Sequence, residues 1–193
     1  MKTFVIENNS ADRDDEKPAW SFLPDSALCN AGKPFFIPEN SGNIEVFIAP
    51  VIKITRLGKS IAPRFASRYY SQAAPALHFR DVSKRMSLLS RGLPLDIAQA
   101  FDRSLIIGDF HDCSHLFGNA PLELLKNGIK TAEWNHDSMP INIASLFPEI
   151  SASNTLKIGD YLIPALSNGT PVAIGDTLEL SLDSVTLLSV QIK

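Results

Sequence analysis

A β-rich α+β fold is what this chain predicts, and three features carry the prediction. Short runs of alternating apolar and polar residues recur along the sequence, most clearly over residues 156–193. Gly and Pro punctuate these runs closely enough to demand tight turns. Helical spacing is confined to a few short segments, with neither a βαβ alternation nor an internal repeat.

The elements follow in order. "KTFVI" (2–6) reads as a short strand, and residues 7–18 as a polar, acidic surface loop with nothing apolar to bury. "WSFLPDSALC" and "AGKPFFIP" suit hairpin arms. "NIEVFIAPVIKITRLGKSI" (43–61) reads as a buried strand that leaves the core through a basic turn, although Pro50 interrupts it. Residues 61–76 predict one short helix, with Phe65, Tyr69 and Gln72 at helical spacing before Pro75. Residues 80–92 and 94–104 predict two amphipathic helices, the first closed by Gly92 and the second opened by Pro94, with Met86, Leu89, Ile97 and Phe101 facing inward. "LIIGDF" (105–110) is a strand, and Asn127-Gly128 between two alternating runs is a hairpin signal. Residues 140–152 predict a helix, and residues 156–193 a β meander with Gly-Asp turns.

The chain has 193 residues, 45% apolar and 20% charged, which suits a single domain over 1–193 with its own core. A net charge of -3 offers no field for nucleic acid, and no run is long and apolar enough for a bilayer, so neither is expected as a partner. Two cysteines are too few for a disulfide framework, and residues 1–16 lack an apolar leader core, which predicts a cytoplasmic protein.

Five segments in order, "FLPDSAL", "KITRLGKSIAPRFASRYY", "RGLPLDIAQAFDRSLIIGDF", "LLKNG" and "NTLKIGDYL…PVAIGDTLEL", resemble a small bacterial member of the fumarylacetoacetate hydrolase family over nearly the whole chain. The resemblance implies a mixed β-roll or barrel with short flanking helices, usually a homodimer. It also implies hydrolysis, decarboxylation or isomerisation of 2-oxo and diketo acids at a Mg²⁺ or Mn²⁺ site. A hard divalent ion there needs anionic oxygens and steadies the enolate that forms.

Carried onto this chain, the family's two metal-binding glutamates fall on Phe47 and Ala49, and the ligand aspartate on His78. The lysine before "FD" becomes Gln99, ahead of Ala100, Phe101 and Asp102, and the early Lys-Pro becomes Leu23-Pro24. The water-activating His and Glu fall on Arg13 and Glu16, and the late substrate turn on Pro164, Ala165, Leu166 and Ser167. Leu23, Phe47, Ala49, His78, Gln99 and Ala165 are therefore the pocket equivalents, Glu16 is the one candidate acid or base, and no metal or other cofactor is expected.

The main expectation is thus a catalytically inactive relative that binds a small carboxylate, as a homodimer or paired with an active paralogue. The alternative is a hydrolase, decarboxylase or isomerase of 2-oxo acids whose site uses His78, Glu16 or the group His111, Cys113 and His115. That group has no standard zinc spacing, and Cys113 lacks a base and an orienting acid, so a polar loop is the simpler reading. His78 between Leu77 and Phe79 reads more simply as a packed histidine, Glu16 as part of a solvated acidic run, and Phe65, Tyr69 and Tyr70 as core. A two-residue slip would offer Glu45, with Asp81 and Asp102, as ligands instead.

Overall fold

The structure is a computed structural model that describes residues 1–9, 17–118 and 120–193. Among these, the strands form three sheets. The first, in spatial order, joins β2 (Trp20–Leu23), β1 (Thr3–Ile6), β12 (Tyr161–Ile163), β5 (Val51–Ile54), β6 (Tyr70–Ala74) and β9 (His111–Asp112). The second joins β13 (Thr170–Pro171), β4 (Ile44–Ile48), β7 (Ala76–Asp81), β8 (Leu105–Ile107) and β3 (Leu28–Asn30). The third joins β11 (Ile129–Trp134), β10 (Leu122–Lys126), β14 (Thr177–Leu182) and β15 (Val185–Gln191). Helices are few: α1 (Val82–Ser90), α2 (Asp96–Gln99), α3 (Cys113–Leu116), α4 (Ile143–Ser153) and short 3₁₀ turns. Mixed sheets with few short helices make the fold a β-rich α+β fold, as the sequence predicts.

Pro50 acquires a purpose here. The single strand expected over 43–61 is two strands, β4 and β5, which lie in different sheets. Their partners do the same: β4 pairs with β7 and β5 with β6, both antiparallel, and β6 runs into β7 through Pro75. One two-stranded ribbon therefore crosses from the first sheet to the second and bends at Pro50 and Pro75. A proline has no N–H to give a ladder, so it is best placed where the ladder changes partners. The bend stays bonded, since the Ala49 N–H donates to Ala76 O at 2.9 Å and the Gly108 N–H to Pro75 O at 2.8 Å. A β-carbon on Gly108 would lie 3.0 Å from the Pro75 ring, so the segment after β8 packs tightly against the corner.

Period-two alternation sorts the ribbon's side chains. On β4 and β7 one face gives Val46, Ile48, Leu77 and Phe79 to the main apolar cluster. The opposite face carries Glu45 and Phe47 from β4, and Ala49 just after it, with His78 and Arg80 from β7; Phe47 lies opposite His78 and Glu45 opposite Arg80. Ala49, Val51, Ala74 and Ala76 then begin a smaller cluster at the bend.

Other expectations need correction. The segments "WSFLPDSALC" and "AGKPFFIP" are not arms of one hairpin, because β2 pairs with β1, β3 runs parallel to β8 in another sheet and Phe35 bridges to Ile192. Residues 61–76 give a 3₁₀ turn (Pro63–Arg68) followed by strand, since Ser71 to Ala74 complete the ladder with β5. Met86, Leu89 and Ile97 face solvent rather than the core; Leu88 is the buried residue of α1, and α2 is only one turn long. Residues 156–193 are no single meander, because β12 and β13 join the other two sheets and only β14 and β15 form a hairpin. The Asn127-Gly128 hairpin stands, both residues with positive φ, as do α1 and α4. Phe65, Tyr69 and Tyr70 pack against the main cluster.

Asp81 joins the ribbon to the helix that follows. Its carboxylate accepts the N–H of Lys84 at 2.8 Å, capping α1, and the N–H of Gly42 at 2.8 Å, while the residue is almost fully buried. Asp81→Ala leaves both donors unpaired and is expected to lower stability by about 2 kcal/mol in urea unfolding, with the m-value unchanged.

Candidate functional site

A pocket of about 240 Å³ opens where β1 ends beside β7 and α1. Its wall includes Glu7 just after β1, Phe47 of β4, Arg80 of β7, Arg85 and Met86 of α1, and the Leu166–Asn168 segment. The ribbon's second face thus supplies Phe47 and Arg80 directly, with His78 immediately behind.

Arg80 and Glu7 form a bidentate ion pair, Nη1 to Oε2 at 2.9 Å and Nη2 to Oε1 at 3.0 Å. The guanidinium side chain is only 5% exposed and lies 5.4 Å from the Phe47 ring centre. Glu7 Oε1 also accepts the Ser21 hydroxyl at 2.6 Å and the Gln99 amide at 3.3 Å. His78 is fully buried: its Nε2 donates to the Gln99 carbonyl at 2.8 Å, and its Nδ1 accepts the Arg80 Nε–H at 3.3 Å. A carbonyl can only accept, so Nε2 must carry the proton and Nδ1 the lone pair.

Burial raises the Glu7 carboxyl, but the Arg80 charge and the hydrogen bonds from Arg80 and Ser21 outweigh it, and the net shift is downward. Burial, and next the Arg80 charge, hold His78 down at about 3, so it is neutral at ordinary pH. Burial also pulls the Arg80 guanidinium down, with Glu7 pushing the other way; it stays charged. Arg85 adds a second cation, and its Nε is buried without a hydrogen-bond partner among the described residues. Among the described residues, two guanidinium groups and one carboxylate line the pocket.

The predicted residues are scattered by this geometry. Phe47 lines the pocket, His78 and Gln99 stand behind Arg80 and Glu7, and Ala49 is buried at the ribbon's bend. Leu23 lines a different groove, with Phe22, Ile97 and Phe101. Ala165 is buried, while its neighbours Leu166 and Ser167 reach the pocket wall. Arg13 and Glu16 lie outside the described residues. Glu45 sits beside Gly169 and Phe47, Asp81 caps α1, and Asp102 borders another groove, so these three do not converge. His111 and His115 have ring centres 5.2 Å apart, and Cys113 is half-buried with its thiol pushed up to about 11 by burial and then by Asp112.

Sequence reasoning missed Glu7, Arg80 and Arg85. Glu7 was assigned to a solvated loop, but residues 7–9 are anchored: Asn9 accepts the Ile141 N–H at 2.8 Å and donates to Pro164 O at 2.9 Å, and Asn8 and Asn9 are buried. A signal was available in "ALHFRD", where a charged residue shares strand parity with His78 inside an apolar run.

Comparison with known proteins now bears on the pocket. Over 179 residues the chain is 31% identical to oxaloacetate tautomerase YcgM of Escherichia coli (strain K12), covering 89% of this chain and 80% of that protein. The chain belongs to the fumarylacetoacetate hydrolase family. A fumarylacetoacetate hydrolase family protein from Yersinia pestis CO92 superposes with a TM-score of 0.91 at 25% identity, over 100% of this chain and 93% of that one. Fumarylpyruvate hydrolase from Pseudomonas aeruginosa, in complex with Mn²⁺ and pyruvate, superposes with a TM-score of 0.89 at 23% identity, over 100% and 89% of the two chains. No family model matches the chain.

Two expectations change. The inactive reading gains nothing from these relatives, which bear the names of a tautomerase and a hydrolase, and the enzyme alternative is the better supported. The expectation that this chain takes no metal or other cofactor is overturned: the Pseudomonas fumarylpyruvate hydrolase that shares its fold is in complex with Mn²⁺. In this family member the pocket's donors are of another kind: Glu7 spends both oxygens on Arg80, and no group of three His, Cys, Asp or Glu able to hold an ion occurs among the described residues. The chemistry below is derived from the chain's own described residues.

His78 predicts a pH signature of stability. Its folded value of about 3 lies below the ordinary 6.5, so the unfolded chain takes up a proton that the folded chain refuses. The stabilisation is complete above about pH 6.5 and is lost as pH falls toward about 3, with a slope approaching 1.4 kcal/mol per pH unit. Glu7, whose carboxyl is also lowered, adds loss in the same direction at lower pH. Urea unfolding across this range should give a flatter pH profile for His78→Gln than for the unsubstituted chain.

Proposed function

We propose that this family member is an enzyme acting on small 2-oxo acids, and that its reaction is keto–enol tautomerisation of a 2-oxo dicarboxylate, with oxaloacetate the first substrate to test. The observation that carries the reading is the pocket itself, where two guanidinium groups and one ionised carboxylate meet in about 240 Å³. The 31% identity to a tautomerase of that substrate supports the choice of reaction.

The chemistry asks for three things. A substrate carboxylate must be held, and the guanidinium of Arg85 on the pocket wall suits that task. Negative charge that develops on the 2-oxo oxygen must be met by fixed donors; of the five N–H groups on a guanidinium, Arg80 commits three to Glu7 and His78, which leaves two. A proton must leave C3 and return to the enol oxygen, and Glu7 is the carboxylate on the wall, where Oε2 accepts one hydrogen bond and keeps a free lone pair. The depressed Glu7 pKa keeps that acceptor ionised at neutral pH.

Absorbance of the enol form would follow the reaction, with buffer alone as the reference. The unsubstituted chain should accelerate it. Arg85→Met should raise KM about tenfold, and Glu7→Gln should lower kcat about a hundredfold. Acceleration by neither oxaloacetate tautomerisation nor release of pyruvate from acylpyruvates, with oxalate still bound, would return the chain to the ligand-binding reading.

A further inference from the structure

We propose that His78 is a positioning residue, whose Nδ1 holds the Arg80 guanidinium in one orientation so that its two uncommitted N–H groups serve the pocket. The inference rests on the reading of that pocket as the substrate site, and it assigns a role to a side chain that touches no substrate.

The geometry allows the ring one useful state. Nε2 must donate to the Gln99 carbonyl, which leaves Nδ1 as an acceptor facing the Arg80 Nε–H. A flipped ring would set a donor against a donor, or leave the buried carbonyl short of a proton. The Gln99 carbonyl also accepts the Ser104 hydroxyl at 3.2 Å, which fixes the far end of the imidazole further.

Glu7 alone would not orient the arginine. Its two bonds form a fork on the terminal nitrogens, and a group held only at its tip can pivot about the Glu7 carboxylate. The bond at Nε adds a third point of attachment at the other end of the plane, and three points fix a plane. Gln99 ties both anchors together, because its side chain donates to Glu7 Oε1 while its backbone carbonyl accepts from His78. The charged groups facing His78 are Arg80 and Glu7, so the whole assembly holds its protonation from mildly acidic to mildly basic conditions.

A histidine that merely fills space would behave differently from one that orients Arg80. Oxalate serves as the probe ligand, with binding to the full chain measured by calorimetry at neutral pH beside kcat and KM for oxaloacetate. His78→Leu keeps the bulk and removes the acceptor, and should weaken oxalate binding about tenfold while a cooperative thermal transition persists. His78→Gln restores an acceptor and a donor, and should recover affinity to within about threefold. Arg80→Met should weaken binding at least as much, and adding His78→Leu to it should change nothing more.

Normal affinity in His78→Leu, or additive losses in the double variant, would overturn the positioning role while leaving the pocket reading intact. Normal affinity in both Arg80→Met and Arg85→Met would overturn the pocket reading itself. If His78→Leu does not fold, nitrogen NMR of the unsubstituted chain decides. An unprotonated Nδ1 and an exchange-protected Arg80 Nε–H, both shifted by oxalate, support the role; a protonated Nδ1 overturns it.

Discussion

The bent ribbon of β4–β5 and β6–β7 is the constraint from which the site follows. Once Pro50 and Pro75 carry the paired strands from one sheet to the other, strand periodicity alone decides which residues face the apolar cluster and which face away. Phe47, His78 and Arg80 share the second face because they occupy matching parity on paired strands. The end of β1 then arrives beside them through the first sheet and brings Glu7. No loop has to be placed with special accuracy for the charged pair to meet.

Burying an ion pair costs desolvation on both sides, so the pair must be held closely and its remaining hydrogen-bonding groups supplied. Arg80 has two bonds to Glu7 and one to His78, while Glu7 has Ser21 and Gln99 besides. The neutral imidazole is important to this balance. A protonated ring would place a second positive charge against the guanidinium, and burial together with that repulsion keeps the proton off. The Arg80–Glu7 pair consequently keeps both its charges and its geometry over the ordinary pH range.

The sheets were legible wherever local chemistry was strong. The Asn127-Gly128 turn and the α1 helix with its Gly92 stop are examples in which neighbouring residues suffice to specify the element. Failures arose where partners distant in sequence decide. Tyr69 and Gln72 have helical spacing with Phe65, but the ladder to β5 makes Gln72 strand; Met86 and Ile97 are apolar, yet α1 and α2 lie over the surface with those side chains outward. The site shows the same limit. Phe47, His78 and Gln99 were reached through family resemblance, whereas Glu7 acquires meaning only from Arg80, 73 residues away. An acidic residue beside an acidic run gives no local hint that it will be drawn into a pocket.

Gly169 passes close behind this wall, where a β-carbon would meet the Glu45 carboxylate and come within 2.8 Å of the Phe47 ring. The same ring lines the cavity. One wall of the chamber therefore depends on a residue, Gly169, that does not line it. Adding a single methyl at that backbone would displace the Glu45 carboxylate and the Phe47 ring together, so glycine at this position lets the acidic and the aromatic side chain of β4 stand where they do.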